Sequence, residues 1–290
     1  MTAQTIEELK MRLGRMMRER GLRRLCDLSA ANRVGQKDSW RTFNEPWMDD
    51  ARPYYTGYQS GMMFAWDQYF EAILQWHCGW TPECSRNAVM MTLERIDVDG
   101  FIPRTIPRMW WSMFQTQPFW AQLTVLLARW GDSLDWLYPE YYFHLKHYVY
   151  CWLHRLDRRG EGLSIWDHAG HTGMDNHYER AGYFHDAYCE GVDLNAYLIR
   201  ELEALAILSS EGYRRRLVPD ESGTFRAEAA HRRNAMNAWC WDGQRGCYLD
   251  YHAREKRTIP VLHGGMFAAL WAGVADSNQA ERLVREHLLN

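Results

Sequence analysis

The chain has 290 residues, a formal charge of −3 and an isoelectric point near 6.5. Charged residues at 24% and apolar residues at 47% are ordinary globular proportions, which excludes a disordered chain, and the near-neutral balance argues against nucleic acid as a partner. No apolar run approaches the roughly 20 residues of a membrane span, and the N-terminal segment is interrupted by Arg and Glu, so neither a membrane partner nor a signal peptide is expected.

The first predicted element is a helix over 7–24, with Leu9, Leu13, Met16 and Met17 as its apolar stripe and an arginine-rich solvated face. Helices are then predicted over 64–78, 83–95, 117–130, 134–156, 191–210, 223–238, 262–273 and 277–289. The clearest is 191–210, where Leu194, Tyr197, Leu198, Leu202, Leu205 and Leu208 recur at helical spacing. Glu201 and Glu203 are expected to face outward there, and Gly212 to stop the helix. Strand signals are few. The best is Cys247–Tyr251, read as one arm of a hairpin after the Asp242-Gly243 turn. Helix, aromatic and Gly-bearing loop, helix, repeated, predicts an all-α chain of stacked helical hairpins.

Composition adds one hint. There are 15 Trp residues, and aromatic residues make up 14% of the chain. Indoles at that frequency suggest an aromatic-lined ligand site as well as a core. Trp66, Trp110, Trp111, Trp120, Trp166 and Trp241 fall in or beside loops, whereas Trp130, Trp152 and Trp271 are expected to pack between helices. The seven cysteines are odd in number and form no CxxC. Reduced thiols in a cytoplasmic protein are the simplest reading.

The richest segment for chemistry is 164–180, SIWDHAGHTGMDNHYER. Asp175 lies there among glycines and polar rings. It reads either as a general acid with a raised pKa or as a turn-forming Asp. His168, His171, His177 and His185 invite a metal reading, but there is no HExxH and no paired Cys, so no metal is expected. Trp66 beside Asp67 offers a stacking face and a carboxylate, which suits a sugar; a core Trp with a capping Asp is the alternative. Arg104 sits on a Pro-fixed loop and Gln117 precedes Pro118 at a helix start. No GxxxxGK, GxGxxG or GxSxG pattern is present, and no cofactor is expected.

In chain order, Phe64-Ala-Trp-Asp-Gln-Tyr-Phe70, Gly100-Phe-Ile-Pro-Arg104, Gln117-Pro118, Gly173-Met-Asp-Asn176, Val192-Asp-Leu-Asn-Ala-Tyr197, Trp241-Asp242 with Gly246-Cys-Tyr-Leu-Asp-Tyr251, and Phe267-Ala-Ala-Leu-Trp-Ala-Gly273 resemble the motifs of the (α/α)6-barrel glycosidases. That clan includes trehalases and glycoside hydrolase family 63 with its mannosylglycerate and glucosylglycerate hydrolase relatives. The resemblance implies an (α/α)6 toroid of helical hairpins over residues 1–290 as a single domain, short of its last hairpins at the C-terminus. It implies an inverting α-glycoside hydrolase acting on a small α-glucoside or α-mannoside.

Asp175 takes the general acid's place in that pattern. Trp66, Asp67, Arg104, Gln117, Asn176 and Trp241 take places in the sugar subsite, and Arg104 and Arg180 are candidates to meet an acidic aglycone. The clan's base is a Glu near the C-terminus. Glu281 and Glu286 read instead as solvent-facing helix charges, so the base is expected beyond residue 290, with activity impaired in its absence. A helix face left uncovered in this way would favour oligomers. The competing readings are a sugar isomerase or epimerase using the histidines of 168–185, and a non-catalytic carbohydrate-binding remnant.

Overall fold

In a computed structural model of the chain, the structure describes residues 52, 54, 63–77, 81–106, 113–166, 168–174, 178–181 and 188–289. The helix expected over 7–24 lies outside these residues, as do Trp110, Trp111, Asp175, Asn176, His177 and His185. The first elements are strand β1 (Met63–Phe64), helix α1 (Ala65–His77), helix α2 (Glu83–Leu93) and strand β2 (Thr105–Ile106). Helix α3 (Trp120–Arg129) follows, and then a helical stretch with α4 (Tyr142–Tyr150) flanked by π-turns at Leu137–Tyr141 and Cys151–Arg155. A short α5 (Tyr178–Ala181) and β3 (Cys189–Glu190) lead into the longest helix, α6 (Val192–Arg214), which is paired with α7 (Ser222–Trp239). Four short strands come next: β4 (Trp241–Asp242), β5 (Cys247–Tyr248), β6 (Tyr251–His252) and β7 (Arg257–Thr258). Helices α8 (Ala268–Trp271) and α9 (Ser277–His287) complete the order.

Helix α6 is the axis of the packing, with α7, α3 and α8 against it. Leu194, Leu198, Leu202, Leu205 and Leu208 are all buried, so the leucine spacing in the sequence maps onto a real core stripe. Two expectations about this helix are overturned. It does not stop at Gly212 but runs on to Arg214. A Cβ on Gly212 would lie 2.5 Å from Tyr138 and 2.6 Å from Val218, so the residue is a close-packing glycine and not a terminator. Nor does Glu201 face outward: it is fully buried. Glu203 is half-buried and paired with Arg200 and Arg233.

Both principal helix starts are capped by carboxylates distant in sequence. Phe119, before α3, has no capping side chain, and Glu201 supplies the acceptor by binding the amides of Ala121 (2.7 Å) and Gln122 (3.1 Å). At α6, Asp250 accepts the amide of Val192 at 2.9 Å. Such caps fix the angle between neighbouring elements as well as satisfying N–H groups that would otherwise be orphaned in the interior.

The strands are brief and antiparallel. Met63 pairs with Ile106 in β1–β2, Trp241 with Tyr248 in β4–β5, and β6 lies between β3 and β7. The segment read as one strand, Cys247–Tyr251, is divided between β5 and β6. The segment 262–273 forms a 3-10 turn at Gly264–Phe267 before its α-helical part. Isolated bridges join Pro103 to Gln115 and Trp166 to Cys189, knitting the inter-helix loops to one another.

Candidate active site

Loop 168–174 is the hub. His168 extends into it, and its Nδ1 accepts the Gly170 amide at 2.8 Å, capping a 3-10 turn over Ala169–His171. The His171 ring is buried, with Nε2 donating to the Gln115 carbonyl at 2.7 Å. Phe114, Trp152 and Trp166 surround that ring at centroid distances of 5.6, 5.0 and 5.1 Å. Thr172 Oγ1 donates to the Ala169 carbonyl and accepts the Met174 amide at 3.0 Å. The loop reaches Met174 in a closely specified conformation.

Gly173 has φ +74, in the left-handed region. A Cβ there would stand 3.3 Å from the Trp66 indole and 3.4 Å from Gln117 Nε2. The structure therefore brings together Trp66 at the start of α1, Gln117 before α3, and the glycine two residues before Asp175. Gln117 is almost fully buried. Its Nε2 donates to the His171 carbonyl at 3.1 Å, while its Oε1 is buried without a hydrogen-bond partner. Its backbone carbonyl accepts from Tyr148 Oη at 2.7 Å, so the main chain is held while one side-chain acceptor stays unused. Arg104 is tied to the same loop through Nη1 and the Gly170 carbonyl, with its guanidinium 5.8 Å from the Phe64 ring centre. Asp67 lies in the first turn of α1 beside Trp66 and is half-buried.

Trp241 is half-buried. It belongs to the β4–β5 hairpin and packs on Tyr248 at 4.9 Å, while Asp242 accepts the amides of Gln244 and Arg245 in the turn. Trp120 and Trp166, expected beside a pocket, are sealed in the core with Trp152. Trp130, half-buried, stacks on Trp76 at 5.3 Å. Trp271, expected between helices, is 41% exposed and carries the Arg200 guanidinium over its ring.

A second cluster went unread in the sequence. Arg180 is completely buried and forks onto Asp193, with Nη2 to Oδ1 at 2.9 Å and Nη1 to Oδ2 at 3.1 Å. Its Nε donates to Asp250 Oδ2 at 2.7 Å. Trp166 Nε1 also donates to Asp193, and His263 Nε2 donates to Asp250 at 3.1 Å. The His263 tautomer follows from its other nitrogen, because Nδ1 accepts the Gly265 amide. Burial would push the Asp250 carboxyl up, but Arg180 and His263 hold it well below the usual carboxylate range. Arg180 is thus saturated inside the protein and is not available to an acidic aglycone. The one legible signal was that Asp193 and Asp250 both stand in motifs of the glycosidase pattern. Among the described residues, no group of three His, Cys, Asp or Glu side chains is arranged to hold a metal ion.

Comparison with solved structures gives the fold. Glycoside hydrolase family 63 mannosylglycerate hydrolase from Thermus thermophilus, in complex with glucose, aligns over 81% of this chain and 72% of its own with a TM-score of 0.66 and 18% identity. A neutral trehalase from Saccharomyces cerevisiae aligns over 81% of this chain and 55% of its own, with a TM-score of 0.60 and 18% identity. An uncharacterized conserved protein from Thermus thermophilus gives a TM-score of 0.67 at 16% identity, over 81% of this chain and 71% of its own. The fold is that of the six-hairpin glycosidases. Residues 163–290 match the sequence model of the Trehalase family.

Proposed function

We propose that the chain is an inverting α-glycoside hydrolase of the cytoplasm, acting on a small α-glucoside or α-mannoside such as trehalose or a glycosylglycerate. The observation that carries this reading is the Trp66–Gly173–Gln117 contact, with a buried, unused acceptor on Gln117. An indole beside an unsatisfied amide oxygen suits a sugar, which has apolar C–H faces and hydroxyl donors to offer. In this reading Trp66, Asp67, Arg104, Gln117, Asn176 and Trp241 contact the sugar. Asp175 protonates the leaving oxygen while a water attacks the opposite face of the ring. The base is assigned to none of these residues. The buried thiols of Cys151, Cys189, Cys240 and Cys247 accord with a reducing compartment.

The isomerase alternative loses support on a specific point. The His171 ring is enclosed by aromatic side chains and committed to the Gln115 carbonyl, and His168 Nδ1 caps a turn. The test is release of reducing sugar from trehalose, glucosylglycerate, mannosylglycerate and simple α-glycosides, with the product anomer read by NMR. Release of the β-anomer, abolished in Asp175→Asn, is expected. Retention of configuration, or turnover indifferent to Asp175→Asn, would sink the proposal.

A further inference from the structure

Arg180 does more than bury a charge. It stands five residues after Asp175, and its Nη1 also reaches back to Met174 Sδ at 3.2 Å, the residue just before Asp175. One guanidinium therefore touches both ends of the segment 174–180. Its two carboxylate partners belong to the start of α6: Asp193 lies in the first turn, and Asp250 caps Val192. Asp250 is held in turn by His263 and by the Cys189 thiol at 3.5 Å.

A buried ion cluster of this kind is weak evidence for stability, because apolar side chains of equal volume often serve as well. What it fixes is geometry. An Arg fork demands a particular placement of both carboxylates, which a Lys ammonium would not.

Resting on the reading of Asp175 as the general acid, we infer that Arg180 is a positioning residue, which clamps both ends of the acid-bearing segment onto the N-terminus of the longest buried helix. Proton donation to a leaving oxygen depends on close placement of the acid, and anchoring the residues on either side of it is the means by which Arg180 would act. With Nε given to Asp250 and both terminal nitrogens to Asp193, Arg180 directs its hydrogen bonds into the protein and acts through the segment, not on the substrate.

The experiment separates steps that need the acid from those that do not. The full chain and its variants are assayed on an alkyl α-glycoside, whose leaving oxygen must be protonated, and on the α-glycosyl fluoride of the same sugar, where fluoride departs with little proton help. Arg180→Lys is expected to lower kcat on the alkyl glycoside by at least about tenfold and on the fluoride by less than about threefold, with KM for both nearly unchanged. Met174→Leu keeps the volume and the ion cluster but removes the sulfur contact. It should give the same split, reduced to roughly threefold on the alkyl glycoside.

Equal losses on both substrates, or a loss confined to KM, would overturn the inference while leaving the hydrolase reading intact. Should Arg180→Lys fail to fold by circular dichroism, Met174→Leu decides: a split supports the clamp and no split refutes it. If the unmodified chain turns over neither substrate, or if Asp175→Asn has no effect, the hydrolase reading itself fails and this inference falls with it.

Discussion

Glu201, in the middle of α6, accepts the backbone amide of Ala121 at 2.7 Å and so starts a helix to which it does not belong. Its second oxygen takes the Gln122 amide, and the whole carboxyl is buried. Gln117 lies a few residues upstream of that cap. The position of a candidate sugar ligand thus depends on a side chain some eighty residues later.

Burial pushes the Glu201 carboxyl up to about 7, against the pull of the backbone amides it accepts. The folded state therefore binds more protons than the unfolded state between the ordinary carboxylate range and neutrality. Stability must fall as pH rises through that window. Glu201→Gln removes the titration but also one capping acceptor, at a cost of about 1 kcal/mol. The difference in unfolding free energy between variant and parent should shift in the variant's favour by about 1–3 kcal/mol from pH 5 to pH 8. A pH-independent difference in denaturant titrations would contradict this.

Gly173→Ala combines two penalties. The residue has φ +74, and its new methyl would press on Trp66 and Gln117. Gly131 has φ +92 with nothing within 4 Å, so Gly131→Ala isolates the backbone cost. Gly131→Ala should destabilise by about 1–2 kcal/mol in thermal melts, and Gly173→Ala by more. Only Gly173→Ala should also weaken sugar binding in calorimetry. Equal sugar affinity in the two variants would separate Gly173 from the sugar site.

Gln117→Met tests the unused oxygen. The change removes a buried acceptor without a partner but also the Nε2 hydrogen bond to the His171 carbonyl, so the effects on folding oppose one another. Stability should move by less than about 1 kcal/mol. Sugar affinity should fall about tenfold, because a hydrogen bond to a sugar hydroxyl is lost in a dry setting. Unchanged affinity would mean that the oxygen meets no sugar.

Away from the site, Asp276 and Gln279 form a reciprocal capping box at the start of α9, with Asp276 Oδ1 accepting the Gln279 amide at 2.8 Å. Asp276→Ala should cost about 1 kcal/mol and fray α9, seen as faster amide exchange confined to 277–287. Protection that stays the same would show that docking through Leu283, which is buried, is enough to hold the helix.

Most helices were legible because their apolar residues recur at helical spacing, and that periodicity survives whatever the tertiary structure does. Glu201 shows where it fails. A carboxylate on a helix of leucines reads as solvent-facing unless one knows that another helix begins opposite it. Gly212 fails for a related reason, since a glycine that ends a helix and one that admits a neighbouring ring look the same in sequence. At the candidate site, Trp66 and Gln117 stood out through motifs, and the structure adds that Gly173 lies beside both. The Arg180 cluster was hidden because its members are spread from 180 to 263 and meet only when α6 and the β5–β6 turn pack together. Trp241 was legible as part of its hairpin, where it packs on Tyr248 and against the core.

The burial of Trp120, Trp152 and Trp166 has a spectroscopic consequence. Indoles sealed from water emit to the blue and resist aqueous quenchers. Trp152 and Trp166, edge to face at 5.7 Å, are close enough to exchange excitation. Among the described residues these three emit from the interior, whereas Trp239 and Trp271 are exposed, so the raw emission mixes core and surface signals. Ligand titrations on this protein should therefore be read as difference spectra against Trp66→Phe, which isolates the contribution of that one indole from the mixed signal.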